Sequence, residues 1–184
     1  IVEKTGAKEF FLSVRDVMMS DRFRIAIGVV CSAIMLMLIV SYFSFFFTGA
    51  DDYSIVNNDG DRSELRAEIK NVLGLPGAIT AAWLVDGTFG IVSIIILCLL
   101  GVYAVGMIVH IPIKRLRWLF ITLFLTIWTS ITLGFAQQIL GIDSFFRWGG
   151  KFGEIVSLWS TSYIQWFGVV VVLIASMIIF LIVA

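Results

Sequence analysis

The sequence predicts an all-α integral membrane protein. Its four transmembrane helices form two parallel span–short helix–span repeats, with interfacial amphipathic helices on the outer side. Three observations carry this reading. Of 184 residues, 60% are hydrophobic and 14% charged, with a mean hydropathy of +1.03, whereas soluble domains run about 45–50% apolar and about 25% charged. Residues 25–50, 87–113, 118–142 and 155–184 contain no Asp, Glu, Lys or Arg, giving uncharged runs of 26, 27, 25 and 30 residues; a helix needs roughly 20 to cross a bilayer. The two halves also match each other. Gly77-Ala78-Ile79 with Trp83 corresponds to Gly153-Glu154-Ile155 with Trp159, and Phe89-Gly90 and Phe167-Gly168 open the next span in each half. Both halves run in the same orientation, which is a parallel repeat. This composition excludes a soluble enzyme and a disordered chain. Thirteen basic against 13 acidic residues leave no cationic excess for nucleic acid.

Residues 1–24 form an N-terminal segment in which Phe10, Phe11, Val14, Val17 and Met18 recur at helical spacing, as in an amphipathic helix lying on the membrane. Residues 25–184 form the membrane domain. Its first span covers about 25–47 and ends in Tyr42, Phe43, Phe45, Phe46 and Phe47, rings that favour the headgroup level. A polar stretch from Gly49 to Asp61 follows. Asp61-Arg62-Ser63-Glu64 then has capping-box spacing, and Leu65, Ile69, Val72 and Leu73 share a face, so a helix is expected to run to a stop at Gly74. Pro76 fits the first turn of a further helix over 76–86, too short to span. Thr88 is expected to cap the second span, 89–111, which Pro112 ends. After the basic turn Lys114, Arg115, Arg117 come the third span (118–136), a short amphipathic piece (150–163) and the fourth span (166–184). That last run stops at Ala184 without flanking charge, so the sequence reads as a fragment of a longer chain.

Lys and Arg set the orientation. Residues 1–24 and 111–117 hold eight in 31, against five in 70 for residues 48–88 and 137–165. The positive-inside rule therefore puts both termini in the cytoplasm.

No catalytic constellation emerges, and no cofactor or metal site is expected in this chain. The only Gly-Lys pair, Gly150-Lys151, is followed by Phe152 and lacks the first glycine of a P-loop. His110 stands where a span leaves the membrane and reads as a snorkelling residue. Cys31 and Cys98 are too far apart for a metal motif and read as apolar packing residues. Asp86 and Glu154, the carboxylates nearest membrane depth, read as structural groups at helix ends. Thr122, Thr126, Ser130 and Gly134 form an i, i+4 ridge on the third span, with Gly28 and Ser32 a shorter version on the first. Such ridges let helices approach closely, and the partner of the longer one is expected within the same chain. Trp83 and Trp159 are expected to anchor the two short helices at the outer interface.

The order of several features is similar to that of a known family. Asp21-Arg22-Phe23-Arg24 leads into the first span. Ser41-Tyr42-Phe43 and the stretch Phe47-Thr48-Gly49-Ala50-Asp51-Asp52-Tyr53-Ser54-Ile55-Val56 lie at its end, and Gly74-Leu75-Pro76-Gly77-Ala78 and Phe89-Gly90 follow. This resembles the N-terminal four-helix membrane domain of the bacterial FtsK/SpoIIIE DNA translocases, over nearly all of residues 21–184. The resemblance implies a multi-pass anchor in the bacterial inner membrane at the division septum, among other division-site membrane proteins. It implies a separate cytoplasmic motor that is hexameric, uses ATP and Mg, and moves chromosomal DNA. DNA would be touched only through that motor, and self-association of the membrane part alone would be weak. A four-span scaffold or accessory subunit of another envelope complex is the alternative, and a polytopic membrane enzyme or transporter a third.

Overall fold

A computed structural model of the chain describes residues 20–56, 68–109 and 115–183. Among the described residues the secondary structure is helical, with no strand. Four helices are long and apolar enough to cross a membrane: Asp21–Asp52, Gly74–Val109, Arg117–Leu140 and Gly150–Val183.

Helix α1 (Asp21–Val56) has 36 residues. Ser20 caps it: the Phe23 amide donates to Ser20 Oγ at 3.3 Å, and Asp21 complements the dipole in the first turn. At 1.5 Å per residue it is about 54 Å long, well beyond a hydrocarbon core of about 30 Å. The expected break at Gly49 does not occur. Thr48 Oγ1 bonds back to Ser44 O at 3.1 Å and forward to Asp52 at 3.0 Å, and Gly49 packs against the Phe45 and Phe145 rings. The helix therefore carries its polar last turns out of the apolar region. The aromatic cluster also differs from an interfacial belt. Phe43 and Phe47 are exposed, but Tyr42 and Phe45 are core residues, packed with Ala81, Val85 and Leu97.

The helix expected up to Gly74 is absent where the structure describes it; residues 61–67, which hold its proposed capping box, lie outside the described residues, as do residues 1–19 and His110. Residues 69–73 are a non-helical strap along α1. The Lys70 amide donates to Asp52 at 2.8 Å, Asn71 Nδ2 to Ser41 O at 3.3 Å, and the Val72 amide to Ser44 Oγ at 3.1 Å. Side chains of α1 thus take the backbone donors a helix would have used.

Gly74, at φ +61°, does not stop a helix but starts one, α2 (Gly74–Ala82), with Pro76 in its first turn. A π-helical stretch, Trp83–Phe89, then a 3₁₀ turn, Gly90–Val92, lead into α3 (Ser93–Val109). The second span thus becomes α-helical at Ser93 rather than Phe89. Thr88 does not cap it: its Oγ1 donates to Leu84 O at 2.6 Å and pairs with Ser93 Oγ at 3.2 Å. Helix α4 (Arg115–Leu140) outruns the expected third span by a turn. Helix α5 (Gly150–Val183) is broken at Gln165 (φ 58°, ψ 168°) into a short arm and the fourth span.

The halves share this plan. Each short helix begins at a positive-φ glycine, Gly74 or Gly150, 76 residues apart. Each has a buried glycine three residues on, Gly77 or Gly153, and an exposed tryptophan further along, Trp83 or Trp159. Each is separated from its span by a positive-φ break, at Gly90 or at Gln165.

Candidate functional site: the junction of the two repeats

The third-span ridge is buried, and its Ser130–Gly134 end meets the start of α5. Thr122, Thr126 and Ser130 are buried, the last two completely. Ser130 Oγ donates to Gly149 O at 2.6 Å. A Cβ on Gly134 would meet Gly153 C at 2.5 Å and Glu154 N at 2.9 Å. Gly134, Gly149 and Gly153 thus let the backbones of α4 and of the short arm of α5 touch, as small residues do between membrane helices. The first half is built alike, since Ser41 of α1 donates to Gly77 O of α2 at 2.5 Å.

Gly28 sits elsewhere, where α1 crosses α3; its Cβ would meet Ile108 Cγ1 at 2.8 Å and Ala104 O at 3.0 Å. Ser32 does not reach across, because its Oγ donates within α1 to Gly28 O at 2.8 Å. Trp83 and Trp159 lie outside the junction and stay exposed, at 64% and 62%.

Sequence reasoning missed the residue that ties the junction together. Arg147, in the turn between α4 and α5, joins the two carboxylates singled out from the sequence. Its amide donates to Asp86 Oδ1 at 3.1 Å, its Nη1 to Asp86 Oδ2 at 2.6 Å, and its Nε pairs with Glu154. The Trp148 amide donates to Gln137 Oε1 at 2.8 Å, and the Ile91 amide to Trp148 O at 3.0 Å. Tyr42 OH donates to Ile91 O, which connects α1 to the same point. The one local cue was the Gly149-Gly150 pair ahead of an amphipathic run; nothing near Arg147 in sequence indicates a partner 61 residues away.

Two cavities flank the short arm of α5. A polar cleft of about 300 Å³ lies against Gly134, Gln138, Asp143, Arg147 and Glu154. An apolar one of about 230 Å³ lies between Phe124, Trp128, Ile164, Val169 and Leu173. What the arrangement does is mechanical: it locks four spans and two short helices into one unit through backbone contact and an ion-paired turn.

A family model described as the 4TM region of DNA translocase FtsK/SpoIIIE matches residues 20–184. The chain belongs to this family. No curated protein and no solved structure matches it. As a member of the FtsK/SpoIIIE 4TM family with four candidate spans, it is a multi-pass membrane protein.

Proposed function

We propose that this domain is the membrane anchor and assembly module of a cell-division DNA translocase, held in the bacterial inner membrane at the septum. The family match over residues 20–184 carries the reading. An even number of spans returns the chain to the side from which it started, and the Lys and Arg asymmetry makes that side cytoplasmic. An ATP- and Mg-dependent motor outside this chain would then meet DNA in the cytoplasm. The domain contributes tethering and local concentration, which favour assembly without strong contacts of its own. Self-association of the domain is weak in this reading, because the small-residue ridge is already covered by α5 within the chain. Contacts with other division-site membrane proteins fall to the exposed faces.

A C-terminal fluorescent fusion in dividing bacteria tests the placement: a ring at the septum is expected, and an even membrane stain would refute it. Orientation is tested in a chain with Cys31 and Cys98 replaced by Ser. An impermeant maleimide should label a cysteine at Ser144 in intact cells and leave one at Arg22 unlabelled. The reverse pattern would invert the topology.

A further inference from the structure

We propose that the apolar cavity between α4 and α5 is a seat for one acyl chain of a membrane phospholipid. Its walls come from three segments: Phe124, Trp128 and Ile131 of α4, Ile164 of the short arm, and Val172 and Leu173 of the fourth span. All six lie in the uncharged runs 118–142 and 155–184, so the cavity belongs to the part of the chain that hydrocarbon surrounds. Contacts close the seam on either side of it. Gly134 meets Gly153 at one end, and the Phe124 and Phe180 rings stack at the other with centroids 4.1 Å apart. Between these contacts Ile164 and Val172 are 45% and 55% exposed. The cavity is therefore continuous with the lipid-facing surface.

Comparison of the repeats shows what the second half lacks. Ser41 of α1 lies against Gly77 of α2 as Ser130 of α4 lies against Gly153 of the arm. A Cβ on each glycine would meet the serine Oγ, at 3.2 and 2.9 Å. The residue after the serine is Tyr42 in one half and Ile131 in the other. Tyr42 shares a buried cluster with Ala81, Val85 and Leu97, between short helix and span, and its hydroxyl reaches Ile91 O just past the Gly90 break. Ile131 has no ring to extend that far, and about 230 Å³ stays open beside it. Walls without a partner forfeit dispersion contacts. Water is a poor filler, because it needs two to four polar partners. The Trp128 indole N–H and the Ser176 hydroxyl on these walls are both spent on Leu173 O, at 3.0 and 2.9 Å. A flexible hydrocarbon chain restores the missing contacts, and it is what the bilayer supplies at this opening. The inference needs only that the chain crosses a membrane, not the septal role proposed above.

The test uses the whole chain in phosphatidylcholine vesicles containing a small fraction of phosphatidylcholine with a diazirine midway along one acyl chain. After illumination, peptide mapping should find the label concentrated on residues 124–131 and 169–176. The reference is the exposed first-span face at Val29, Val30 and Met37. Ile131→Phe places a ring where the first half has Tyr42, and its labelling should fall to the level of that face. Even labelling of wild type, or undiminished enrichment in Ile131→Phe, would overturn the proposal. So would a wild-type dimer in detergent that Ile131→Phe converts to folded monomers, because a second copy would then fill the cavity. Should Ile131→Phe fail to fold, Val172→Phe decides in its place, at a wall position already half exposed: enrichment equal to wild type sinks the site.

Discussion

Gly90 and Gly150 occupy each other's side-chain space. A Cβ built on Gly90 would fall on the amide nitrogen of Gly150, and one built on Gly150 would fall on the amide nitrogen of Gly90. Both have positive φ, 76° and 64°. The contact joins the break before the second span to the start of the second short helix, and the Ile91–Trp148 hydrogen bond seals it beside them. The repeats are therefore locked backbone to backbone, which only residues without a Cβ permit.

We expect Gly90→Ala and Gly150→Ala to be severely destabilising, each by about 3 kcal/mol or more, since steric overlap adds to a left-handed backbone. Gly74 and Gly141 provide the contrast. Both have positive φ but nothing within 4 Å of the added atom, so alanine there should cost about 1 kcal/mol. Thermal unfolding in detergent measures the four variants side by side. Equal losses at all four positions would mean that the close approach contributes nothing.

Along the ridge, close approach should outweigh hydroxyl bonding. Gly134→Leu must push α4 away from Gly153 and should prevent native packing. Thr126 Oγ1 is fully buried and makes no hydrogen bond, so Thr126→Val removes an unsatisfied polar atom and should be neutral or slightly stabilising. Ser130→Ala loses the bond to Gly149 O, worth about 0.6 kcal/mol between membrane helices. Light scattering with detergent subtracted addresses assembly. A stable wild-type hexamer that Gly134→Leu dissolves into folded monomers would mean the ridge packs between chains.

The spans were legible because the absence of charge over 25 or more residues overrides local detail. The repeat was legible because Gly77 and Gly153 keep the same distance to their tryptophans. Local turn chemistry misled in the strap. Leu65, Ile69 and Leu73 have helical spacing, yet residues 69–73 are held by Ser41, Ser44 and Asp52, whose tertiary hydrogen bonds outcompete propensity. Thr88 misled in the same way, its hydroxyl being drawn to Leu84 and Ser93. Arg147 was illegible because its partners Asp86 and Glu154 are identified only once the two breaks bring the short helices together.

The strap should loosen only at alkaline pH through Lys70. Lys70 Nζ pairs with Asp51 at 2.7 Å, and the hydrogen bond and attraction of that carboxylate hold the ammonium above its ordinary value of 10.5. A group with a raised folded pKa contributes its stabilisation fully below the unfolded value and loses it as pH rises through the folded one. Both side chains are well exposed, so the effect is local. Protease nicking near the strap should stay flat up to about pH 10 and then rise, and Lys70→Met should abolish that rise. A rise of the same size in Lys70→Met would assign it to another group.

The turn carrying Arg147 should behave as a single electrostatic unit. The Asp86 side chain is 12% exposed and that of Arg147 39%, so removing the guanidinium strands a nearly buried carboxylate while removing the carboxylate strands a group that can turn to water. Arg147→Met should therefore cost more than Asp86→Asn, about 2–3 kcal/mol against about 1–2, the full buried-pair penalty being reduced by solvent on the arginine side. Asp86→Asn keeps an acceptor for the Arg147 amide, which further limits its loss. The double variant Asp86→Asn/Arg147→Met should recover part of the Arg147→Met loss, because no charge is then left stranded at Asp86. A double-mutant cycle on thermal stability measures this coupling. If the two losses simply add, the pair is not coupled, and the junction is held by its glycine contacts alone.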